Sequence, residues 1–172
     1  SSANDAARTL ARYHSGSIDG FVEEMNARAV SLGLRNTHFA NPDGLDGIEH
    51  YSTPQDIAWL MQYVLKEPEI RNRMSTTGMR ISSFEGSIIP LTHTHAFIHS
   101  KPQVIAGKTG TTDSAGECLA SLVELNGKEY IVVILNSLQR YTDMQTILTS
   151  LTQTTSTKVA TTVSPSSDDS TP

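Results

Sequence analysis

"VIAGKTGTTDSAGE", residues 104–117, is the stretch on which the reading of this chain turns. A lysine and a threonine stand between two glycines, directly after a short apolar run. Gly107-Lys108-Thr109 is the end of a phosphate-binding loop, Gly-x-x-x-x-Gly-Lys-Thr, whose backbone N–H groups wrap the phosphates. The first glycine of that loop would be residue 102. Pro102 stands there, with no N–H to give and φ fixed by its ring. After Thr109 comes "GTTDSAG", small and polar, where an anion site requires the start of a helix. The phosphate reading fails, and residues 104–108 are predicted to be a strand.

Composition narrows the classes. The chain has 172 residues, enough for one domain with a real core. Its hydrophobic fraction is 37% and its net charge −5, with 13 Lys and Arg scattered along it, which excludes a nucleic-acid backbone as partner. No apolar run is long enough to span a bilayer. Cys118 is the single cysteine, so no internal disulfide forms and cysteine usage leaves the redox compartment open. Residues 152–172, "TQTTSTKVATTVSPSSDDSTP", are mostly Ser, Thr, Asp and Pro. Such a segment cannot offset its ordering entropy by burial and is predicted to be a disordered tail or linker behind a domain of residues 1–151.

Upstream of the opening stretch the apolar period is helical. Residues 4–14 place Ala7, Leu10 and Ala11 on one face, with Ser2 or Asn4 as N-cap. Ser17 caps a second helix carrying Phe21, Met25, Ala29 and Leu32, ended by Gly33. "ANPDGLDGIEHYS", residues 40–52, is turn chemistry, in which Asp43 and Asp46 are read as turn-forming residues. Ser52-Thr53-Pro54 opens a third helix, and a shorter one is expected over residues 68–74. Strands are predicted at 79–82, 87–91, 104–108, 118–124 and 129–136, the last two joined by the hairpin signal Asn126-Gly127. A final helix spans 141–151. Helices, an antiparallel meander and a closing helix make an α+β fold.

Lys108-Thr109-Gly110 has a companion at the start of the chain, Ser2-Ala3-Asn4, placed at the head of a helix. A Ser-x-Asn and a Lys-Thr-Gly on a strand are two of the three motifs of penicillin-recognising serine enzymes. "SANDAA", "LGLRNTHFANPDGLD", "YSTPQDIAWL", "GKTGTTDSAGECLAS" and "RYTD" extend the likeness over residues 1–151. The chain resembles the serine D-alanyl-D-alanine carboxypeptidases, the low-molecular-weight penicillin-binding proteins. The third motif, Ser-x-x-Lys, is absent. Three residues before Lys66, Lys101, Lys108, Lys128 and Lys158 stand Tyr63, Ile98, Ile105, Leu125 and Thr155. The Thr155–Lys158 variant lies downstream of the other motifs, on the wrong side of them. The resemblance therefore implies the C-terminal portion of a β-lactamase/transpeptidase-like fold, without the N-terminal segment that carries the nucleophile. Without that segment the apolar residues at 104–105, 119–123 and 131–135 are expected to lack cover.

The same resemblance implies a peptidoglycan stem pentapeptide ending in D-Ala-D-Ala as substrate, β-lactams as inhibitors, no cofactor, and an extracytoplasmic, membrane-associated parent protein. It assigns Ser2 to proton relay toward the leaving D-alanine and Asn4 to holding the substrate amide and the absent lysine. It puts Lys108 and Thr109 on the substrate's terminal carboxylate, and Gly110 where the strand backbone must approach the substrate closely. Thr111 gives its N–H to half of an oxyanion hole. Arg140, in "RYTD", forks onto the carboxylate.

Duller readings stand beside these. Ser2 and Asn4 serve equally as caps, Lys108 as a solvated edge charge, and Arg140 as a surface residue at a helix start. His93, His95 and His99 in "HTHAFIH" suggest a metal, but no cysteine or well-spaced carboxylate completes a ligand set. The family commonly has Asn-x-Asn here, so the histidines are expected to make hydrogen bonds. Cys118 is expected to be a small buried hydrophobe. Two other functions stay open: a class A-like β-lactamase, for which no suitable glutamate loop lies between the motifs, and a non-catalytic ligand-binding product.

Overall fold

The computed structural model describes residues 2–160, with side chains through residue 153. Helix α1 (Asn4–Ser15) and helix α2 (Ile18–Ser31) pack as a hairpin. Gly16 closes α1 in the left-handed region at φ 76°, and the Ser17 hydroxyl caps α2 by accepting from Gly20 N at 2.9 Å. The expected cap of α1 is corrected. Ala3 holds that position, and no side chain caps the helix.

A loop closed by the bridge between His38 and Tyr51 leads to α3 (Pro54–Val64) and α4 (Pro68–Ser75). Its turn is made by Asn41, whose Oδ1 accepts from Gly44 N at 2.7 Å while Nδ2 donates to Leu45 O at 2.8 Å. Asp43 and Asp46 do not form the turn. Both carboxylates accept from groups on other elements.

A two-stranded hairpin follows, β1 (Gly78–Ser82) with β2 (Ile88–Thr92). The short helix α5 (Ala96–Ser100) was not foreseen. The His95 ring starts it, its Nδ1 accepting from Phe97 N at 3.2 Å. The main sheet then folds in strand order β3-β4-β5, all antiparallel: β3 (Val104–Thr112), β4 (Gly116–Leu125) and β5 (Lys128–Ser137). Strand β3 runs beyond Lys108, so the whole Lys-Thr-Gly lies within it. The Asn126-Gly127 turn has φ 52° and 70°, as a type I′ hairpin requires.

Helix α6 (Arg140–Ala160) continues past residue 151, where a disordered tail was expected to begin. Its hydroxyls turn back on their own helix: Thr149 donates to Gln145 O at 2.9 Å and Thr152 to Leu148 O at 2.8 Å. The rest of the expected tail, residues 161–172, lies outside the described residues.

Period-two alternation, interrupted by a register shift between Val104 and Ala106, divides the apolar residues of the sheet between its faces. Val104, Leu119, Val123, Val132 and Ile134 pack under Met144 and Leu148 of α6. Ala106 and Leu122 face Met61 and Leu65 at the end of α3. The expectation of uncovered strands is thus corrected: Val104, Leu119 and Val123 are buried. What stays open is an apolar groove of about 350 Å³ beside α3, with Ile57, Leu60, Met61, Val64 and Leu135 among its walls.

Candidate active site

A cleft of about 350 Å³ lies between the start of α1, the loop of residues 40–52 and strand β3. Ser2 and Asn4 line one wall, and Lys108, Thr109, Gly110 and Thr111 line the other. Two motifs far apart in sequence are therefore brought face to face. Because Ala3 is the N-cap and no side chain caps α1, neither Ser2 nor Asn4 is spent on the helix end. Lys108 Nζ donates to Ser2 Oγ at 3.1 Å, and also to the carbonyl of Thr109. The walls of the cleft crowd the ammonium group although its mouth is open to water. That burial lowers the Lys108 pKa from its ordinary value.

The loop wall is fastened from both sides. Arg8 Nε of α1 donates to Asp43 Oδ2 at 2.6 Å, and the Asp43 carboxylate is completely buried, with Oδ1 unpaired. Asp46 accepts from Thr112 Oγ1 at 2.6 Å and from Ser114 N at 3.2 Å. The Thr112 hydrogen bond, with that of Ser114 N behind it, lowers the Asp46 pKa. These ties position the cleft, and motif reading alone did not find them. Their signal in the sequence is carboxylates in a loop whose turn is already made by Asn41.

Arg140 sits at the start of α6, outside the cleft lining. A register shift between Glu117 and Leu119, with Asn136 at φ 53°, bends the end of β5 and brings Arg140 beside β4. Its Nη1 donates to Gly110 O at 2.7 Å, Thr111 Oγ1 at 2.8 Å and Cys118 O at 3.2 Å. Glu117 accepts from the Arg140 backbone N at 3.0 Å and pairs with its guanidinium at 3.8 Å. The guanidinium thus grips the backbone that follows Lys108-Thr109.

Behind β3 lies a second layer of contacts. Thr94 and Thr109 share a hydroxyl hydrogen bond at 2.7 Å. His95 is fully buried, with Nε2 on Ser121 Oγ at 2.8 Å; burial pushes its pKa down to about 4, so it is neutral. Gly107 is required there, because a Cβ would come within 2.5 Å of the His95 ring. His93 Nε2 donates to Met74 O at 3.1 Å and His99 Nε2 to His93 O at 3.0 Å. The histidines make hydrogen bonds, and no group of three or more His, Cys, Asp or Glu able to hold a metal occurs among the described residues. Cys118 is half-buried, its Sγ 3.5 Å from Ala115 O, and is not the core hydrophobe expected. No helix among the described residues is long and apolar enough to cross a membrane.

Comparison with known proteins agrees with this geometry. A family model described as D-alanyl-D-alanine carboxypeptidase matches residues 1–139, and the chain belongs to that family. It is 32% identical over 145 residues to a D-alanyl-D-alanine endopeptidase of Escherichia coli, covering 83% of this chain and 46% of that one. It is 34% identical over 136 residues to the D-alanyl-D-alanine carboxypeptidase DacF of Bacillus subtilis, covering 79% and 35%. Among solved structures, a D-alanyl-D-alanine carboxypeptidase of Mycobacterium tuberculosis superposes with TM-score 0.74 at 28% identity, over 80% of this chain and 52% of that one. The Streptomyces K15 DD-transpeptidase superposes with TM-score 0.72 at 30% identity, over 77% and 55%. The chain spans half or less of the curated relatives it matches here.

Proposed function

We propose that these residues form the substrate-binding and proton-relaying part of a serine D-Ala-D-Ala carboxypeptidase, which removes the terminal D-alanine of peptidoglycan stem peptides through an acyl-enzyme. The observation that carries this reading is the meeting of Ser2 and Asn4 with Lys108-Thr109-Gly110 across one cleft, joined by the Lys108–Ser2 hydrogen bond of 3.1 Å. The chain contains no Ser-x-x-Lys, so the attacking serine comes from a segment outside these residues.

In that reaction the serine oxygen adds to the carbonyl of the penultimate D-alanine, and the C–N bond to the last residue breaks. The departing amine needs a proton. Ser2, accepting from Lys108, keeps its own O–H free to donate to that nitrogen. The crowded ammonium of Lys108 gives up or shares a proton more readily than a solvated lysine would. Thr109 offers its hydroxyl and Lys108 its charge to the terminal carboxylate, and Asn4 holds the substrate amide. The N–H of Thr111 supplies half of the oxyanion hole. Arg140 acts on the carboxylate end through Gly110 and Thr111, which it holds in place. A β-lactam enters the same cleft as an acylating inhibitor, and the peptidoglycan substrate puts the working protein outside the cytoplasm.

The test is covalent labelling with a fluorescent penicillin, read by mass spectrometry. The full-length protein is expected to take up one acyl group outside residues 1–172, and the isolated chain none. An adduct on a serine of this chain would overturn the assignment of the nucleophile. Failure of the full-length protein to acylate would overturn the enzyme reading.

A further inference from the structure

The histidine stretch has no part in the proposed chemistry, yet the backbone of residues 93–96, between β2 and α5, is tied at every step. The N–H of His93 donates to Thr77 O at 2.9 Å, and its carbonyl accepts from His99 Nε2 at 3.0 Å. The N–H of His95 donates to His93 Nδ1 at 3.0 Å. The Tyr141 hydroxyl accepts from Ala96 N at 2.8 Å and donates to Thr94 O at 3.4 Å. On either side of Thr94 a histidine ring is anchored in the fold, His93 on Met74 O and His95 on Ser121 Oγ. Thr94 itself is exposed, and among the described residues its hydroxyl has one partner, Thr109 Oγ1 at 2.7 Å. Either oxygen of such a pair is able to donate, but each hydroxyl has a single proton. If Thr109 gives its proton to the substrate's terminal carboxylate, the bond between the two threonines is donated by Thr94. A hydroxyl whose oxygen already accepts a hydrogen bond is polarised by it and donates more strongly.

We infer that Thr94 is a positioning residue: its O–H, held in place by the histidine-bearing segment, donates to Thr109 and turns the Thr109 proton toward the substrate carboxylate. The inference rests on the function proposed above. It gives His93 and His95 a purpose that needs no metal, since their rings fix the segment from which Thr94 projects. Valine at position 94 would keep the shape of the side chain and remove the donor. The Thr109 hydroxyl would then lose both its fixed direction and its polarisation.

The test is a double-mutant cycle in the full-length protein, read as kcat/KM on a peptide ending in D-Ala-D-Ala. Thr94→Val should lower kcat/KM by about fivefold, the effect of one neutral hydrogen bond. The unfolding midpoint should not move, because Thr94 is exposed. Thr94→Ser keeps the hydroxyl and should retain most of the rate. In a Thr109→Val background, where Lys108 still meets the carboxylate, adding Thr94→Val should lower the rate no further. A merely structural role for Thr94 predicts the same fall in both backgrounds. That result, or an unchanged kcat/KM in Thr94→Val alone, would overturn the inference while leaving the functional reading intact. If the unaltered protein leaves the peptide uncleaved, the functional reading fails and the role of Thr94 falls with it.

Discussion

The sheet and the leading helices of this chain are held by different kinds of contact. Around β3, β4 and β5 the apolar residues close over one another, and Leu119, Val123, Met144 and Leu148 are almost wholly removed from water. In α1 a single residue, Ala11, is buried, while Leu10 is 67% and Tyr13 90% exposed. What fastens the helical wall to the cleft is polar: Arg8 on Asp43, Lys108 on Ser2 and, for the adjoining loop, Thr112 on Asp46. Stability therefore resides in the sheet, whereas alignment of the two motifs rests on a few directional bonds. Substitutions in the core are therefore expected to act on stability, and substitutions of those bonds on the alignment of the cleft.

Four changes in the full-length protein sharpen or break that contrast. Leu148→Ala, in the closed half, should lose about 2–5 kcal/mol in urea unfolding, the cost of a buried leucine and the cavity it leaves. A loss under 1 kcal/mol would mean that α6 does not seal the sheet.

Next in size is the pH dependence carried by His95. Its folded pKa of about 4 lies below the ordinary 6.5, so between those values the unfolded chain binds the extra proton. Stability is fully present above about pH 6.5 and falls as the pH drops toward 4. The sum is on the order of 3 kcal/mol and levels off below that. His95→Asn should flatten this limb in a stability–pH profile. An unchanged profile would remove His95 as its source.

Arg8→Ala strands the buried Asp43 carboxylate and should cost about 1–3 kcal/mol, with kcat/KM falling further than the stability loss explains. Equal activity after the change would show that the ion pair does not align the cleft. Tyr13→Ala, exposed on α1, should change stability by less than about 0.5 kcal/mol. A large loss there would contradict the account of the helical half.

Much of this was legible in the sequence, for physical reasons that differ from element to element. Asn126-Gly127 announces its hairpin because few residues accept positive φ at both turn positions. Thr53-Pro54 and Ser17 announce helix starts through the caps they form. The pairing of Ser2 and Asn4 with Lys108 was legible only because the two motifs were read together. The roles of Asp43, Asp46 and Glu117 were not, since each acquires its partner across a loop or a strand end. The α5 helix was hidden because its first turn is organised by His95, a residue with no strong cap signal. The extent of α6 was not legible because a Ser/Thr-rich composition carries no helical period, although Thr152, whose hydroxyl donates to Leu148 O at 2.8 Å, still lies within the helix.

The central claim is that Lys108 faces the substrate across from Ser2. It is tested most directly by kcat/KM of the full-length protein on a peptide ending in D-Ala-D-Ala, before and after Lys108→Ala. Loss of a charged contact made in a crowded cleft should lower kcat/KM by about 100-fold, on the order of 3 kcal/mol, with the unfolding midpoint unchanged. An unchanged kcat/KM would place the active site elsewhere and contradict the account.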